Sequence, residues 1–207
     1  MRRVIRIASL AVIVIAACQL VRMYLSEQSV EQIYEDASEQ YVTETDEESL
    51  PETADSSPIE VDFEALQAVN PDIVGWIYAL DGAISYPILY SGDNSTYLRT
   101  DYMMNHCTGG SIFMEGANSP DLNDPTTIIY GHNMHNGTMF GQLKQVEVNQ
   151  FFYIITPGAS YKYQVREARI VEPDDEIYDI SQGQDRVVLS TCANEDRLVV
   201  VGNLIQR

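Results

Sequence analysis

The chain has 207 residues, which is enough for one globular domain with additional segments, and 31 acidic against 12 basic residues give it a formal net charge of −19. A chain this acidic lacks the basic surface that nucleic-acid binding requires, so no nucleic-acid partner is expected. Its three cysteines, Cys18, Cys107 and Cys192, are too few for a disulfide framework.

The N-terminal segment, residues 1–25, contains four basic residues and no acidic one. Three arginines lie within its first six residues, and the apolar run that follows approaches the ~20 residues of a membrane span. This charge order places the N terminus in the cytoplasm and the rest of the chain outside the cell. We therefore predict a single membrane-anchor helix over residues 1–25. Two alternatives stay open, namely a cleaved signal peptide and lipidation of Cys18.

Residues 26–58 are rich in Glu, Asp, Ser and Thr, and residues 26–62 hold thirteen acids and no Lys or Arg. Such a composition buries too little apolar surface to order a chain by itself. The prediction is an acidic disordered linker over residues 26–58, with at most a transient helix over 29–41.

Ordered structure is expected from Ile59 to the C terminus, as one domain over residues 59–207. Asp62 is placed to cap a short helix with Phe63, Leu66 and Val69 on one face. Short strand-like runs follow at 73–78, 84–90, 111–114, 126–130, 161–171, 187–189 and 198–204. A helical turn is expected near 141–148 and 151–152. Many short strands with few helices favour a closed or sandwich-like β fold.

Three reactive side chains lie at the ends of these strand-like runs. Cys192 ends the run that starts at Val187, Arg197 opens the next run, and His132 follows the run that ends at Tyr130. A thiol becomes a strong nucleophile when a neighbouring imidazole or cation favours the thiolate. A guanidinium beside it can stabilise an oxyanion. These residue types alone are only suggestive, because a cysteine in a β core is more often a small apolar residue.

Local sequences around these residues carry a more specific signal, because they occur in one order along residues 60–207. They are Asn70-Pro71-Asp72-Ile73-Val74-Gly75-Trp76-Ile77, Gly110-Ser111-Ile112-Phe113-Met114, Thr127-Ile128-Ile129-Tyr130-Gly131-His132-Asn133-Met134, Met139-Phe140-Gly141, and Leu189-Ser190-Thr191-Cys192 followed by Arg197. Together they closely resemble the sortases, and specifically class B.

The resemblance implies a mainly β chain, with a closed sortase-type β-barrel, a short N-terminal helix and few other helices behind the membrane anchor. It also implies a membrane-anchored cysteine transpeptidase of a Gram-positive bacterium. Its partners would be secreted proteins with a C-terminal sorting signal, cut after a threonine, and a peptidoglycan-precursor amine as acceptor. Neither a cofactor nor a metal is expected.

Carried onto this sequence, the resemblance makes Cys192 the nucleophile, His132 the general acid/base and Arg197 the transition-state clamp. The residues it places along the sorting-signal groove are Asn94, Leu98, Tyr130, Ser190 and Thr191.

Two features depart from the family pattern. The connection 171–186, which in many class B enzymes holds a long helix forming one groove wall, is short, acidic and interrupted by Pro and Gly. The spacing from Cys192 to Arg197 is also short, which leaves Arg186 as a rival clamp at the far end of its strand. The functional alternatives are a pilin-polymerising enzyme that uses a Lys amine, a cysteine peptidase that mainly hydrolyses, and a catalytically idle binding module.

Overall fold

The computed structural model describes residues 2–45 and 57–207, with side chains described from residue 12 onward. A long helix α1 (Arg2–Tyr41) leads into a two-stranded ribbon of β1 (Val42–Glu44) and β2 (Ile59–Val61). The short helix α2 (Phe63–Val69) follows, and the side chain of Asp62 accepts the backbone N–H of Ala65, as an N-cap does.

Eight strands then close into a barrel, which confirms the predicted mainly β, closed architecture. In chain order these are β3 (Ile73–Ala79), β4 (Ile84–Leu89), β5 (Ile112–Met114), β6 (Thr126–Tyr130), β7 (Phe151–Ile155), β8 (Ser160–Val171), β9 (Arg186–Ala193) and β10 (Asp196–Gln206). Around the barrel the order is β10-β8-β7-β3-β4-β5-β6-β9. The pairs β4–β5 and β6–β9 are parallel, and the other neighbours are antiparallel.

The strand β7 differs from the prediction, which placed a helical turn near residues 151–152. Phe152 and Ile154 are buried, whereas Phe151 and Tyr153 face outward. This alternation is the pattern of a half-buried strand. In the sequence, this alternation is hidden because Phe151, Phe152 and Tyr153 are three aromatic residues in a row. The helical turn itself lies earlier, as a 3-10 turn over Phe140–Gln145.

Both faces of β6 and β9 are covered, which explains why their sequences are apolar at successive positions. Ile129 and Leu189 belong to the main core of the barrel. Ile128 and Val188 instead belong to a second apolar cluster with Ile177, which comes from the connection between β8 and β9. This connection therefore covers the outer side of the strands that carry the candidate site.

The second half of α1 differs from the predicted disordered linker over residues 26–58. Residues 26–41 are helical, and Val30, Tyr34, Ala37 and Tyr41 are buried on one helix face. The spacing of three and four residues is that of an amphipathic helix, so packing of this stripe outweighs the acidic composition. The Tyr34 hydroxyl donates to the Gly110 carbonyl over 2.7 Å. The folded part therefore includes residues 26–45, and residues 46–56 of the predicted linker lie outside the described residues.

The first half of α1 continues into the docked half without a break. Large apolar side chains are exposed on it at Val12, Ile13, Val14, Ile15, Leu20, Val21, Met23, Tyr24 and Leu25. Within the part of the chain that is described, no helix combines the length and apolar character that crossing a membrane requires.

Candidate active site

The thiol and the guanidinium are held together by the β9–β10 hairpin. Its loop is the two-residue turn Asn194-Glu195, and Asn194 has a φ of 60°, a conformation that Asn tolerates in hairpin turns. Cys192 lies directly opposite Arg197 in the antiparallel register. Residues so paired point to the same face, with Cβ atoms roughly 5 Å apart. Cys192 is exposed and Arg197 is half-buried.

Arg186 lies at the opposite end of β9. It is paired with Thr126 on β6, and its Nε donates to the Thr126 hydroxyl. Six residues separate it from Cys192, which along a strand is roughly 20 Å. Arg197, and not Arg186, is therefore the arginine beside the thiol.

The parallel pairing of β6 with β9 brings His132 to the same cleft as Cys192. Tyr130 is paired with Ser190, so the chain beyond Tyr130 runs beside Thr191 and Cys192. Two hydrogen bonds hold this extension: the Thr191 hydroxyl donates to the Gly131 carbonyl over 2.7 Å, and Asn133 Nδ2 donates to the Cys192 carbonyl over 2.8 Å. His132 lies between these two anchored residues.

The imidazole of His132 has a partner on another segment. Its Nε2 lies 2.8 Å from the Leu98 carbonyl, at the end of a 3-10 turn, Thr96–Leu98. Since a carbonyl only accepts, this hydrogen bond requires a proton on Nε2. Proton exchange with a substrate is then left to Nδ1.

These residues surround one cleft of about 200 Å³. All eight site residues predicted from the sequence line it: Asn94, Leu98, Tyr130, His132, Ser190, Thr191, Cys192 and Arg197. Phe113 and Gly131, which sequence reasoning did not assign to the site, line it as well. Both residues belong to the family-like motifs quoted above, and those motifs are the sequence signal that could have identified them.

Ser190 and Thr191 are almost fully buried, at 1% and 3% exposure. The Ser190 hydroxyl is 2.8 Å from the Tyr178 hydroxyl, and the Thr191 hydroxyl is used by Gly131. Their hydroxyls are therefore engaged within the protein, and peptide contact by these two residues stays a prediction.

Tyr178 is a site residue that the sequence did not reveal. It lies in a 3-10 turn, Glu176–Tyr178, of the short β8–β9 connection. Its ring stacks on Tyr130 at a centroid distance of 6.4 Å, and burial raises its pKa. The short connection thus supplies an aromatic support for one side of the cleft.

Glu115, which follows β5, joins two lining residues from outside the cleft. Its Oε2 accepts from the Tyr130 hydroxyl over 2.9 Å, and its Oε1 accepts from Asn94 Nδ2 over 2.6 Å. Burial, and next the negative charge of Glu115, raise the pKa of Tyr130, so this phenol stays protonated.

Among the described residues, no group of three or more His, Cys, Asp or Glu side chains is placed to hold a metal ion. Cys107 and Cys192 are both free thiols, and burial raises the pKa of Cys107. Cys192 thus differs from Cys107 in being an exposed thiol with a cation and an imidazole nearby.

Comparison with known proteins gives a consistent result. Residues 77–205 match the sortase domain family. The sortase B of Listeria monocytogenes is 32% identical over 181 residues, covering 69% of this chain and 73% of that protein. The sortase B of Staphylococcus aureus is 29% identical over 150 residues, covering 72% of this chain and 58% of that protein.

Solved structures agree with these sequence comparisons. The structure of Bacillus anthracis sortase B in complex with AAEK1 superposes with a TM-score of 0.68 at 28% identity, covering 89% of this chain and all of that one. A Staphylococcus aureus sortase B–substrate complex superposes with a TM-score of 0.61 at 27% identity, covering 70% of this chain and 84% of that one.

Proposed function

The chain belongs to the sortase family, as a class B cysteine transpeptidase, and we propose that it cleaves a C-terminal sorting signal after a threonine and transfers the protein to a peptidoglycan-precursor amine. The observation that carries this proposal is the cleft in which Cys192, His132 and Arg197 meet. The substrate complex solved for the Staphylococcus aureus sortase B supports the view that a substrate occupies this part of the fold.

In the first half of the proposed reaction, the Cys192 thiol gives its proton to Nδ1 of His132, and the resulting thiolate attacks the threonine carbonyl carbon. Arg197, directly opposite on β10, stabilises the oxyanion that forms. The scissile C–N bond then breaks as His132 gives a proton to the leaving amine. The product is a thioester between the threonine carbonyl and Cys192.

In the second half, an amine enters the open cleft and attacks the thioester. His132 takes the proton from this amine, the C–S bond breaks, and the thiolate leaves with the pair of electrons. A lysine amine of a pilin would follow the same path, whereas water would give hydrolysis. The acceptor therefore decides between transpeptidase, pilin polymerase and peptidase.

The test is a sorting-peptide library incubated with the full chain, with and without a primary amine, and analysed by mass spectrometry. We expect cleavage after threonine and an amine adduct whose share rises with amine concentration. The Cys192→Ala variant should retain the fold, as judged by the fluorescence of Trp76, and lose all turnover. Turnover by that variant would refute the mechanism, and hydrolysis alone at high amine concentration would favour the peptidase.

We further propose that the N-terminal segment anchors the protein in the membrane, with the barrel outside the cell. The exposed apolar side chains of α1 between residues 12 and 25, preceded by three arginines in the sequence, support this placement. Alkaline extraction of membranes should leave the protein in the pellet, and protease added to wall-stripped cells should cleave the barrel. Release by alkali or full protection from protease would refute this topology.

A further inference from the structure

One wall of the cleft is a short segment that follows β4, residues 91–98, here called the lip. It contributes Asn94 and Leu98 to the lining, and its Leu98 carbonyl meets His132 Nε2. The position of the lip therefore affects both the width of the cleft and the setting of the imidazole.

The lip is held by the carboxylate of Glu115 at the end of β5. One oxygen accepts from Asn94 on the lip over 2.6 Å, and the other accepts from Tyr130 at the end of β6 over 2.9 Å. Hydrogen bonds to an ionised carboxylate are roughly twice as strong as neutral ones. A single side chain that does not itself line the cleft thus connects two segments that do.

The amide of Asn94 has only one orientation that fits this arrangement. Its Nδ2 donates to Glu115, and its Oδ1 accepts the backbone N–H of Gly116 over 2.7 Å. Exchange of the amide oxygen and nitrogen would place a carbonyl against a carboxylate and an NH₂ against an N–H. Asn94 is therefore fixed on both sides by consecutive residues of the chain.

Close backbone contact holds the lip at the same point. A Cβ added to Gly116 would lie 2.7 Å from the Cα and 2.8 Å from the backbone nitrogen of Asp93. Only glycine allows the lip to approach β5 so closely, and this contact is independent of the Glu115 side chain.

We propose that Glu115 is a positioning residue for sorting-signal recognition, which holds the lip in place against the end of β6 by tying Asn94 to Tyr130. The inference rests on the proposed function, since it takes the cleft to be the peptide site. Glu115 does not line the cleft and acts through the two residues that it holds.

The test compares Glu115→Gln with the control Glu147→Gln, an exposed glutamate on the β6–β7 connection, in the full chain. Glutamine keeps the size of the side chain but removes its negative charge, so the hydrogen bond from Asn94 becomes a neutral one and the Tyr130 hydroxyl has to turn round and accept from the new NH₂. We expect the KM for the sorting peptide to rise about tenfold in Glu115→Gln with kcat within about twofold, and neither to change in the control.

Two further variants distinguish the loss of the Asn94–Glu115–Tyr130 hydrogen bonds from a general loss of stability. Tyr130→Phe removes only the hydroxyl, and Glu115→Gln added to it should raise KM by much less than in the wild type. Gly116→Ala should raise KM with the Glu115 carboxylate intact. Equal effects of Glu115→Gln in both backgrounds would overturn the proposal. If Glu115→Gln fails to fold, Tyr130→Phe decides by hydrogen exchange over residues 91–98, which should become faster when Glu115 loses this partner and which a direct peptide contact of Tyr130 would not change.

Amide hydrogen exchange gives a readout that needs no turnover. Exchange over residues 91–98 should become faster in Glu115→Gln and stay unchanged in Glu147→Gln. Unchanged exchange, or faster exchange with an unchanged KM, would overturn the positioning role. If the wild type cleaves no sorting peptide, the proposed function fails, and hydrogen exchange still decides whether Glu115 holds the lip.

Discussion

Substitution of Tyr34 by alanine tests whether the second half of α1 is part of the folded domain. Tyr34 is 2% exposed, whereas Tyr24, ten residues earlier on the same helix, is 61% exposed. The two tyrosines therefore form a matched pair in which chemistry is constant and burial differs.

The expected cost of Tyr34→Ala follows from two losses. Removal of a buried aromatic side chain costs about 3–5 kcal/mol of the free energy of unfolding. The hydroxyl also donates to the buried Gly110 carbonyl over 2.7 Å and lies 3.0 Å from the Ser111 hydroxyl. Tyr34→Phe isolates this second loss, for which we expect about 1–3 kcal/mol. Tyr24→Ala should change the free energy of unfolding by no more than about 0.5 kcal/mol.

The assay is urea unfolding of the full chain at a constant level of non-ionic detergent, followed by the fluorescence of Trp76. This residue is the chain's single tryptophan and is fully buried in the core. We expect a lower midpoint at an unchanged m-value for both Tyr34 variants. If Tyr34→Ala and Tyr24→Ala unfold at the same midpoint, α1 does not pack on the barrel and the reasoning is wrong.

Three further predictions concern the site and its surroundings. Arg197→Ala should lower kcat/KM by about 100-fold or more, whereas Arg186→Ala should leave it within about twofold; the reverse result would move the clamp to Arg186. Burial raises the pKa of Tyr86 from its usual 10 to about 12, so its contribution to stability is complete below pH 10 and is lost as the pH rises from 10 to 12. The urea midpoint should therefore fall over that range, and by less in Tyr86→Phe. That variant should also lose about 1–3 kcal/mol at pH 8, because the buried N–H of Met139 loses its acceptor; equal stability at pH 8 would contradict this. Hydrogen bonds, first from Thr96 and next from Ser95, hold the pKa of Asp93 well below its usual 3.8, so its support of the lip is present above pH 4 and is lost only at lower pH. An NMR titration should show this carboxylate ionised at pH 3.5, and a midpoint near 3.8 would contradict the assignment.

The closeness of Cys192 and Arg197 could be predicted because it depends on short-range sequence. Two β-branched runs separated by a short turn fold as a hairpin, which brings residues five apart into opposite positions. The position of His132 required one further step, namely the parallel pairing of β6 with β9. Only the family resemblance supplied that step.

The docking of α1 does not follow from the mean composition of residues 26–58, because that mean is dominated by the charged residues. The stripe at Val30, Tyr34, Ala37 and Tyr41 is visible in the sequence, yet the surrounding acids lower the mean hydropathy. A test for helical periodicity within the acidic segment would have indicated an amphipathic helix.

The link between Glu115 and Asn94 could not be read from the sequence. The residues are 21 positions apart, and both lie in irregular turns without periodicity. Their contact exists because the parallel pairing of β4 with β5 brings the chain that leaves both strands to the same place. Such contacts depend on tertiary geometry, which a single sequence does not encode in a local pattern.

Because α1 is one unbroken helix, it limits how far the barrel can move relative to the first half of that helix. Between Leu25, the last of its exposed apolar residues, and Val30, the first of its buried ones, the helix rises only about 7.5 Å. A helix does not bend freely over one and a half turns, so the barrel cannot swing as it would on a random-coil tether. With the first half of α1 anchored as proposed, the cleft would keep one height and orientation above the membrane. The proposed peptide and amine would then have to travel to the thiol.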